Sequence, residues 1–259
     1  MFRRIKELYD YRTMISSLVR RDLKSRYSGS VLGVLWNFLS PLFQLLVYSV
    51  VFSQIIRMGI DDYYMFLFVA LIPWIFFSTC ISGGVSCIQI QGDMIKKIYF
   101  PREVVPFSYV TSQFVNMLLC FVVIFVVMAF GGYVFNPVAL LCLPVVMIIE
   151  FILALGFTLV LSSLNVYFRD LQHIMGIVAL AWQFLTPIMY PMDIVPDGMK
   201  WILNINPMTN VISCYRSILY LGQVPQLNSL LTAVVLGIFL FGMGWFSFNK
   251  LQKHFIEVL

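Results

Sequence analysis

With 259 residues, 61% of them hydrophobic and 11% charged, and a mean hydropathy of +0.91, the chain exceeds the roughly half-apolar make-up of soluble domains and falls far below their charge content of about 25%. The formal net charge is +5. These values exclude a soluble globular domain and indicate an integral membrane protein. It is expected to be all-α, because its apolar runs are continuous and lack the alternation of a membrane β-barrel.

Residues 1–28 precede the first apolar run. Leu8, Tyr11, Ile15, Leu18, Val19 and Leu23 recur at helical spacing, with Arg12, Arg20, Arg21, Lys24 and Arg26 largely on other faces. Such a basic amphipathic helix is expected to lie among the lipid headgroups of the inner leaflet. It serves there either as a plain lipid anchor and topology signal, or as an anchor that also touches a cytoplasmic partner. The segment does not read as a secretory signal, since about 30 charged and polar-rich residues come first and no small-residue cleavage pattern follows.

A helix needs about 20 mostly apolar residues to cross about 30 Å of hydrocarbon, where every backbone polar group must be paired internally. Six runs are assigned as spans: Val31–Ile56, Tyr63–Ile88, Val104–Tyr133, Pro137–Asn165, Ile174–Tyr190 and Asn228–Phe248. Between the fifth and sixth lies the segment 191–226, long enough to suggest a seventh. Asn204, Asn206, Asn210 and Arg216 would be costly against lipid, Pro207 would break the helix, and an odd count would export Lys250 and Lys253. A pair of short re-entrant helices on the outer side is expected instead, covered by protein or lining a water-filled cavity. The whole of 1–259 is read as one transmembrane domain.

Basic residues set the orientation, because Lys and Arg are retained on the cytoplasmic side. One side holds Arg3, Arg4, Lys6, Arg12, Arg20, Arg21, Lys24 and Arg26, the pair Lys96 and Lys97 with Arg102, then Arg169, Lys250 and Lys253. The other holds Arg57, Lys200 and Arg216. A multi-pass protein of the cytoplasmic membrane with both termini in the cytoplasm is expected.

Patterns for catalysis are missing. His173 and His254 belong to no H-E-x-x-H, and neither G-x-S-x-G nor a paired-carboxylate pattern occurs. Cys80, Cys87, Cys120, Cys142 and Cys214 form no C-x-x-C, so neither zinc nor a disulfide framework is suggested. No catalytic residue, metal, cofactor or nucleic-acid partner is expected. There is also no G-x-x-x-x-G-K-[ST], so energy for active transport would have to enter through another subunit.

The run RDLKSRYSGSVLGVLWNFLSPL (Arg21–Leu42) resembles the first-span signature of the membrane subunit of ABC type-2 exporters, in particular those exporting lipid-linked polysaccharides such as O-antigen, capsule or teichoic acid. The stretches IPWIFFS (Ile72–Ser78), IKKIYFPREVVP (Ile95–Pro106), NVYFRD (Asn165–Asp170) and LTPIMYP (Leu185–Pro191) resemble the family's other recurrent segments, in the same order and spacing. The resemblance covers essentially the whole chain. It implies six spans, an amphipathic interface helix, a coupling helix between spans two and three and short outer gate helices. It also implies a homodimer with two separate ATPase subunits, which bind ATP and Mg, and a polyprenyl-diphosphate-linked polysaccharide as substrate.

On that resemblance, Asp93, Lys96, Lys97, Arg102 and Glu103 in the loop Gln89–Glu103 are the candidates for docking the ATPase; the alternative is an ordinary basic loop that fixes topology. Pro101 and Pro106 restrict the chain before span three. Arg169 and Asp170 stand at the turn between spans four and five, at the inner gate. Asp170 is placed to cap span five, where the helix dipole favours a negative group. Arg169 is open to binding lipid phosphate, pairing with a carboxylate or touching the partner.

Glu150 sits midway along span four, and an ionisable group at that depth is a functional candidate by default. A simply protonated carboxyl, or a hydrogen bond across the bundle, is the alternative. Gln44, Gln113, Asn116 and Gln183 are candidates for lining the path or for inter-helix hydrogen bonds, with packing as the alternative for each. Aromatic rings stack on the flat C–H faces of sugars, so Tyr48, Trp74, Tyr109, Trp182, Tyr190, Trp201, Tyr215 and Tyr220 are, with Glu150, the channel candidates; a place in the interfacial belt or against lipid is the alternative for each. Export of a drug or small lipid is the nearest rival function. An ion-coupled transporter is disfavoured by the scarcity of charges inside spans, and a membrane transferase by the want of a reactive cluster.

Overall fold

The structure is a computed structural model that describes residues 7–26, 29–133 and 136–258. Arg3, Arg4 and Lys6 of the interface segment, and positions 27 and 28, lie outside the described residues. Among the described residues there is no strand.

Four of the assigned spans are long helices near their expected limits. The first runs over Gly33–Ile55 as a 3-10 turn, an α-helix and a π-helical turn; the third covers Val104–Phe130, the fourth Pro137–Asn165 and the sixth Leu227–Leu251. The fourth starts at the predicted residue for a local reason. The Asn136 side chain accepts from the Val138 and Ala139 amides, and Pro137 occupies the first turn, where no N–H is needed. The second span breaks after Ser82 at Gly83 and resumes as short helices, Cys87–Ile90 and Gly92–Lys97, the latter carrying the predicted coupling segment.

The fifth span differs from expectation. Its helix is Leu171–Phe184, 14 residues, or about 21 Å against the roughly 30 Å of the hydrocarbon core. Among the described residues five helices are therefore long and apolar enough to cross, and the fifth assigned run is a shorter apolar helix followed by a buried turn. Pro187 is the physical cause: it lacks an N–H and drives Thr186 out of the helical region. Two nine-residue helices, Asp197–Ile205 and Pro207–Tyr215, follow and meet at Asn206.

The core is centred on the second span, whose Met65, Leu67, Phe68, Val69, Ala70, Leu71 and Phe77 are all fully enclosed. The fourth and sixth spans form the most extensive helix pair. They approach so closely that a Cβ on Gly156 would lie 2.7 Å from the Phe241 nitrogen, and one on Gly244 would collide with the Gly156 carbonyl. Small residues at a helix crossing are how membrane helices gain contact when lipid supplies no hydrophobic drive.

The amphipathic helix, Arg12–Ser25, packs along the third span and does not simply lie on the bundle's end. Its last turn is pinned there by polar bonds: Ser112 donates to Asp22 at 2.5 Å, Arg26 to Asp22 at 2.9 Å, and Arg26 to Gln113 at 2.9 Å. The half-buried Asp22 and the exposed Arg26 are thus paired with each other and with the hydroxyl and amide groups of the third span.

Candidate functional site

Two groups of polar side chains stand out, one at the basic end of the bundle and one beneath the two nine-residue helices.

At the basic end, the six-residue helix Gly92–Lys97 has Asp93 in its first turn and Lys96 and Lys97 in its last, each sign at the pole of the helix dipole that favours it. Ile95 anchors it in the core, while Asp93, Lys96 and Lys97 are exposed. Ile90 and Tyr99, at 71% and 97% exposure, flank it as uncovered apolar surface. Arg169 and Gln172 come across from the turn between spans four and five to join Gln89, Asp93 and Lys96 around a cleft of about 410 Å³. The predicted coupling segment and the predicted inner-gate turn thus share one surface. A reciprocal amide pair holds it in place, Gln89 donating to the Asn165 carbonyl at 2.9 Å and Asn165 to Gln89 at 3.0 Å.

The remaining charged candidates are placed differently. Glu103 is buried and accepts from Gln252 at 2.9 Å, and Arg102 lies 5.8 Å from the ring of Phe255, so both tie the loop to the C-terminal segment. Asp170 occupies the N-cap position of Leu171–Phe184, but its side chain makes no capping hydrogen bond; this corrects the cap expected of it, since its backbone is already helical. Its carbonyl accepts from the His173 and Ile174 amides. A second cleft at this end, about 590 Å³, is walled by Glu7, Tyr11, Tyr99, Phe100, Arg102 and Lys253 among others.

Beneath the nine-residue helices, Tyr215 donates to Glu150 at 2.6 Å, joining the second of them to the middle of span four, and the Tyr215 ring packs on Phe121. Glu150 and Tyr215 are wholly enclosed, as is Trp74 at 2% exposure. The other oxygen of Glu150 has no hydrogen-bond partner among the described residues. Glu150→Gln, which keeps an acceptor for Tyr215, is expected to leave thermal stability in detergent nearly unchanged. Glu150→Leu strands the Tyr215 hydroxyl and should cost about 1–3 kcal/mol.

Asn206 joins the hairpin to the fifth helix. It accepts from the Met208 amide and Trp182 Nε1, both at 3.0 Å, and donates to the Leu185 carbonyl at 3.1 Å and Thr186 Oγ1 at 2.8 Å. All four of its hydrogen-bonding positions are filled. Asn206→Ala removes a helix cap and three ties together, and the melting of the purified protein should report a loss on the order of 2 kcal/mol.

Several candidates are half-buried, and Tyr109 lies apart from this group, in a cleft with Leu18, Asp22 and Ser25 of the amphipathic helix. Tyr48 accepts from Gln44 at 3.1 Å and Gln183 at 3.3 Å, bridging the first span to the fifth helix. Tyr109 donates to the Thr79 carbonyl at 3.4 Å, Tyr190 to the Phe184 carbonyl at 2.8 Å and Tyr220 to the Asp61 carbonyl at 2.7 Å. Trp182 meets Phe77 and Phe157 edge to face. Trp201 is exposed on the first nine-residue helix, beside the exposed pair Asp197 and Lys200. There the hydrogen bond and charge of Lys200 hold the Asp197 carboxyl below its usual range, and Asp197 raises Lys200 in return. Gln113 and Asn116 line a cavity of about 20 Å³ between the first three spans. Among the described residues no three His, Cys, Asp or Glu side chains come together as metal ligands.

Sequence reasoning treated Asn206 and Arg216 only as groups too polar for lipid and missed that both hold the hairpin. The available signal was an arginine inside an otherwise apolar stretch.

Residues 13–220 match the ABC-2 type transporter family. The chain is 37% identical over 260 residues to the O-antigen export system permease protein RfbA of Myxococcus xanthus, covering 99% of each chain. It is 30% identical over 252 residues to RfbA of Klebsiella pneumoniae, covering 97% of this chain and 96% of that one. With the polysialic acid transport protein KpsM of Escherichia coli it shares 23% identity over 218 residues, covering 82% and 83%.

Proposed function

Because this multi-pass chain belongs to the ABC-2 type transporter family, we propose that it is the membrane permease of an exporter carrying lipid-linked polysaccharide out of the cytoplasm. The observation that carries this reading is the similarity, over nearly the full length of both chains, to a permease named for O-antigen export.

In this reading the basic end faces the cytoplasm, both termini included, and the protein sits in the cytoplasmic membrane as a homodimer. Two separate ATPase subunits bind ATP and Mg and grip the surface formed by Asp93, Lys96, Lys97 and Arg169, with Ile90 and Tyr99 as its apolar part. An interface of apolar residues ringed by charge is what such docking requires. Their closure pushes the Gly92–Lys97 helix, and the amide pair Gln89–Asn165 passes the displacement to spans two and four together. The protomers part around the first span and the fifth helix, where Tyr48 meets Gln183. A polyprenyl-diphosphate-linked glycan then slides outward along accessible rings such as Tyr48, Trp182, Tyr190, Trp201 and Tyr220. Trp74, Glu150 and Tyr215, enclosed within one chain, stiffen the wall behind them. The nine-residue helices form the re-entrant outer gate.

Deleting the gene tests this reading. Completed glycan should accumulate on the cytoplasmic side and vanish from the cell surface, returning when the gene is restored. Unchanged surface glycan in the deletion strain would overturn it.

A further inference from the structure

We propose that Arg216 is the positioning residue that keeps the outer gate shut, its guanidinium clasping the broken turn Thr186–Tyr190 to the start of the second span. The word gate rests on the export reading above; the clasp rests on the following geometry.

The turn has a shortage of hydrogen-bond donors. Once Pro187 ends the fifth helix, the carbonyls of the last helical residue and of the turn have no helical N–H to accept, yet Thr186, Ile188 and Met189 are buried. Side chains make up the shortage one by one. Tyr190 donates to the Phe184 carbonyl at 2.8 Å, Asn206 to that of Leu185 at 3.1 Å, and Tyr63 to that of Met189 at 2.7 Å. Of the three between, that of Thr186 accepts from the Ile188 amide at 2.7 Å and Arg216 takes the other two, with Nη1 on the Pro187 carbonyl at 2.5 Å and Nη2 on the Ile188 carbonyl at 2.6 Å. Two neighbouring carbonyls match the planar fork of a guanidinium, whereas an ammonium would reach them only as a point charge.

The same guanidinium lies 3.6 Å from the centre of the Phe66 ring and directs Nε at the Phe66 carbonyl, at 3.5 Å. Three segments therefore converge on one side chain: the outer hairpin that carries it, the turn, and the second span. Arg216 opens a π-helical turn, Arg216–Tyr220, at the end of the helix Pro207–Tyr215, a local widening frequent at functional sites.

Its chemistry suits a closure that must also open. Among the described residues no carboxylate pairs with Arg216, and its partners are carbonyl dipoles and one ring. Water or sugar hydroxyls supply the same donors and acceptors, so the clasp exchanges for hydration when the turn moves, with no buried counter-charge left behind. A buried ion pair would instead leave its counter-charge stranded whenever the turn moved away.

The test is leakage of a small trapped dye, carboxyfluorescein, from liposomes holding the permease with its ATPase subunits and no ATP. The wild-type complex should retain the dye. Arg216→Met, similar in length but without donors, should leak at least tenfold faster; Arg216→Lys should fall between, because the charge stays and the fork is lost. Tyr63→Phe removes only the Met189 bond and should leak a few-fold faster. If Arg216→Met does not assemble, the lysine and phenylalanine variants carry the test. A role limited to folding would lower the melting temperature and leave the liposomes tight, and dye retention in assembled Arg216→Met, or in both milder variants, overturns the proposal. No glycan enters this assay, so a wrong substrate assignment would fail the deletion experiment and leave the leak result standing.

Discussion

Lys96→Glu combined with Lys97→Glu should abolish co-purification of the ATPase subunits while leaving membrane insertion intact. The double change swaps two positive for two negative charges at two exposed positions of the six-residue helix and leaves its core anchor, Ile95, untouched, so folding has no reason to respond. The partner surface has a reason. Juxtaposed like charges at an interface cost several kcal/mol, and each 1.4 kcal/mol is tenfold in affinity, so binding should weaken by about a hundredfold or more. Pull-down of the tagged permease, with its membrane content checked in parallel, reads both effects. Normal recovery of the ATPase with the double variant would remove this helix from the docking surface. Arg169 shares the cleft with Lys96, and Arg169→Glu should weaken the same interaction to a smaller degree, since it alters a single position.

Gly156→Leu or Gly244→Leu should prevent the permease from assembling as a folded bundle. At this crossing the backbone of span four touches that of span six, and the atoms a new side chain would meet are main-chain nitrogen, carbonyl carbon and oxygen, which do not swing aside. The helices would have to separate along their whole contact, losing packing that includes Gly237 against Ile149. Overpacking a well-filled core costs about 1–3 kcal/mol where side chains adapt, and a backbone crossing should exceed that range. Size-exclusion profiles and thermal melts in detergent measure it. Gly242 provides the control, for a Cβ there meets open space, and Gly242→Ala should behave as wild type. A monodisperse, wild-type-like Gly244→Leu protein would show that the crossing does not set the fold.

How far the sequence spoke depended on the range of the interaction. The fourth span was legible to the residue because its signals are local: Asn136 and Pro137 at one end and an apolar run to Asn165. The helix Gly92–Lys97 was visible as a charged interruption between apolar runs. The early end of the fifth helix was also written locally, in Pro187, but an apolar run judged by hydropathy passes through a proline that backbone geometry does not. What escaped were the pairings across the chain. Gln252 covers Glu103 from 149 residues away, Tyr215 reaches Glu150 across 65, and Arg216 reaches Phe66 across 150. Nothing in residue type or spacing assigns such partners. A buried carboxylate and a buried arginine announced that partners must exist, and only the packed structure names them.

In the proposed export reading, this chain is a conduit moved by separate ATPase subunits. Proteoliposomes built with and without those subunits, loaded with polyprenyl-diphosphate-linked glycan in the outer leaflet, test it most directly. Glycan should enter the lumen only when the ATPase and MgATP are both supplied. Uphill movement by vesicles holding this chain alone would contradict it.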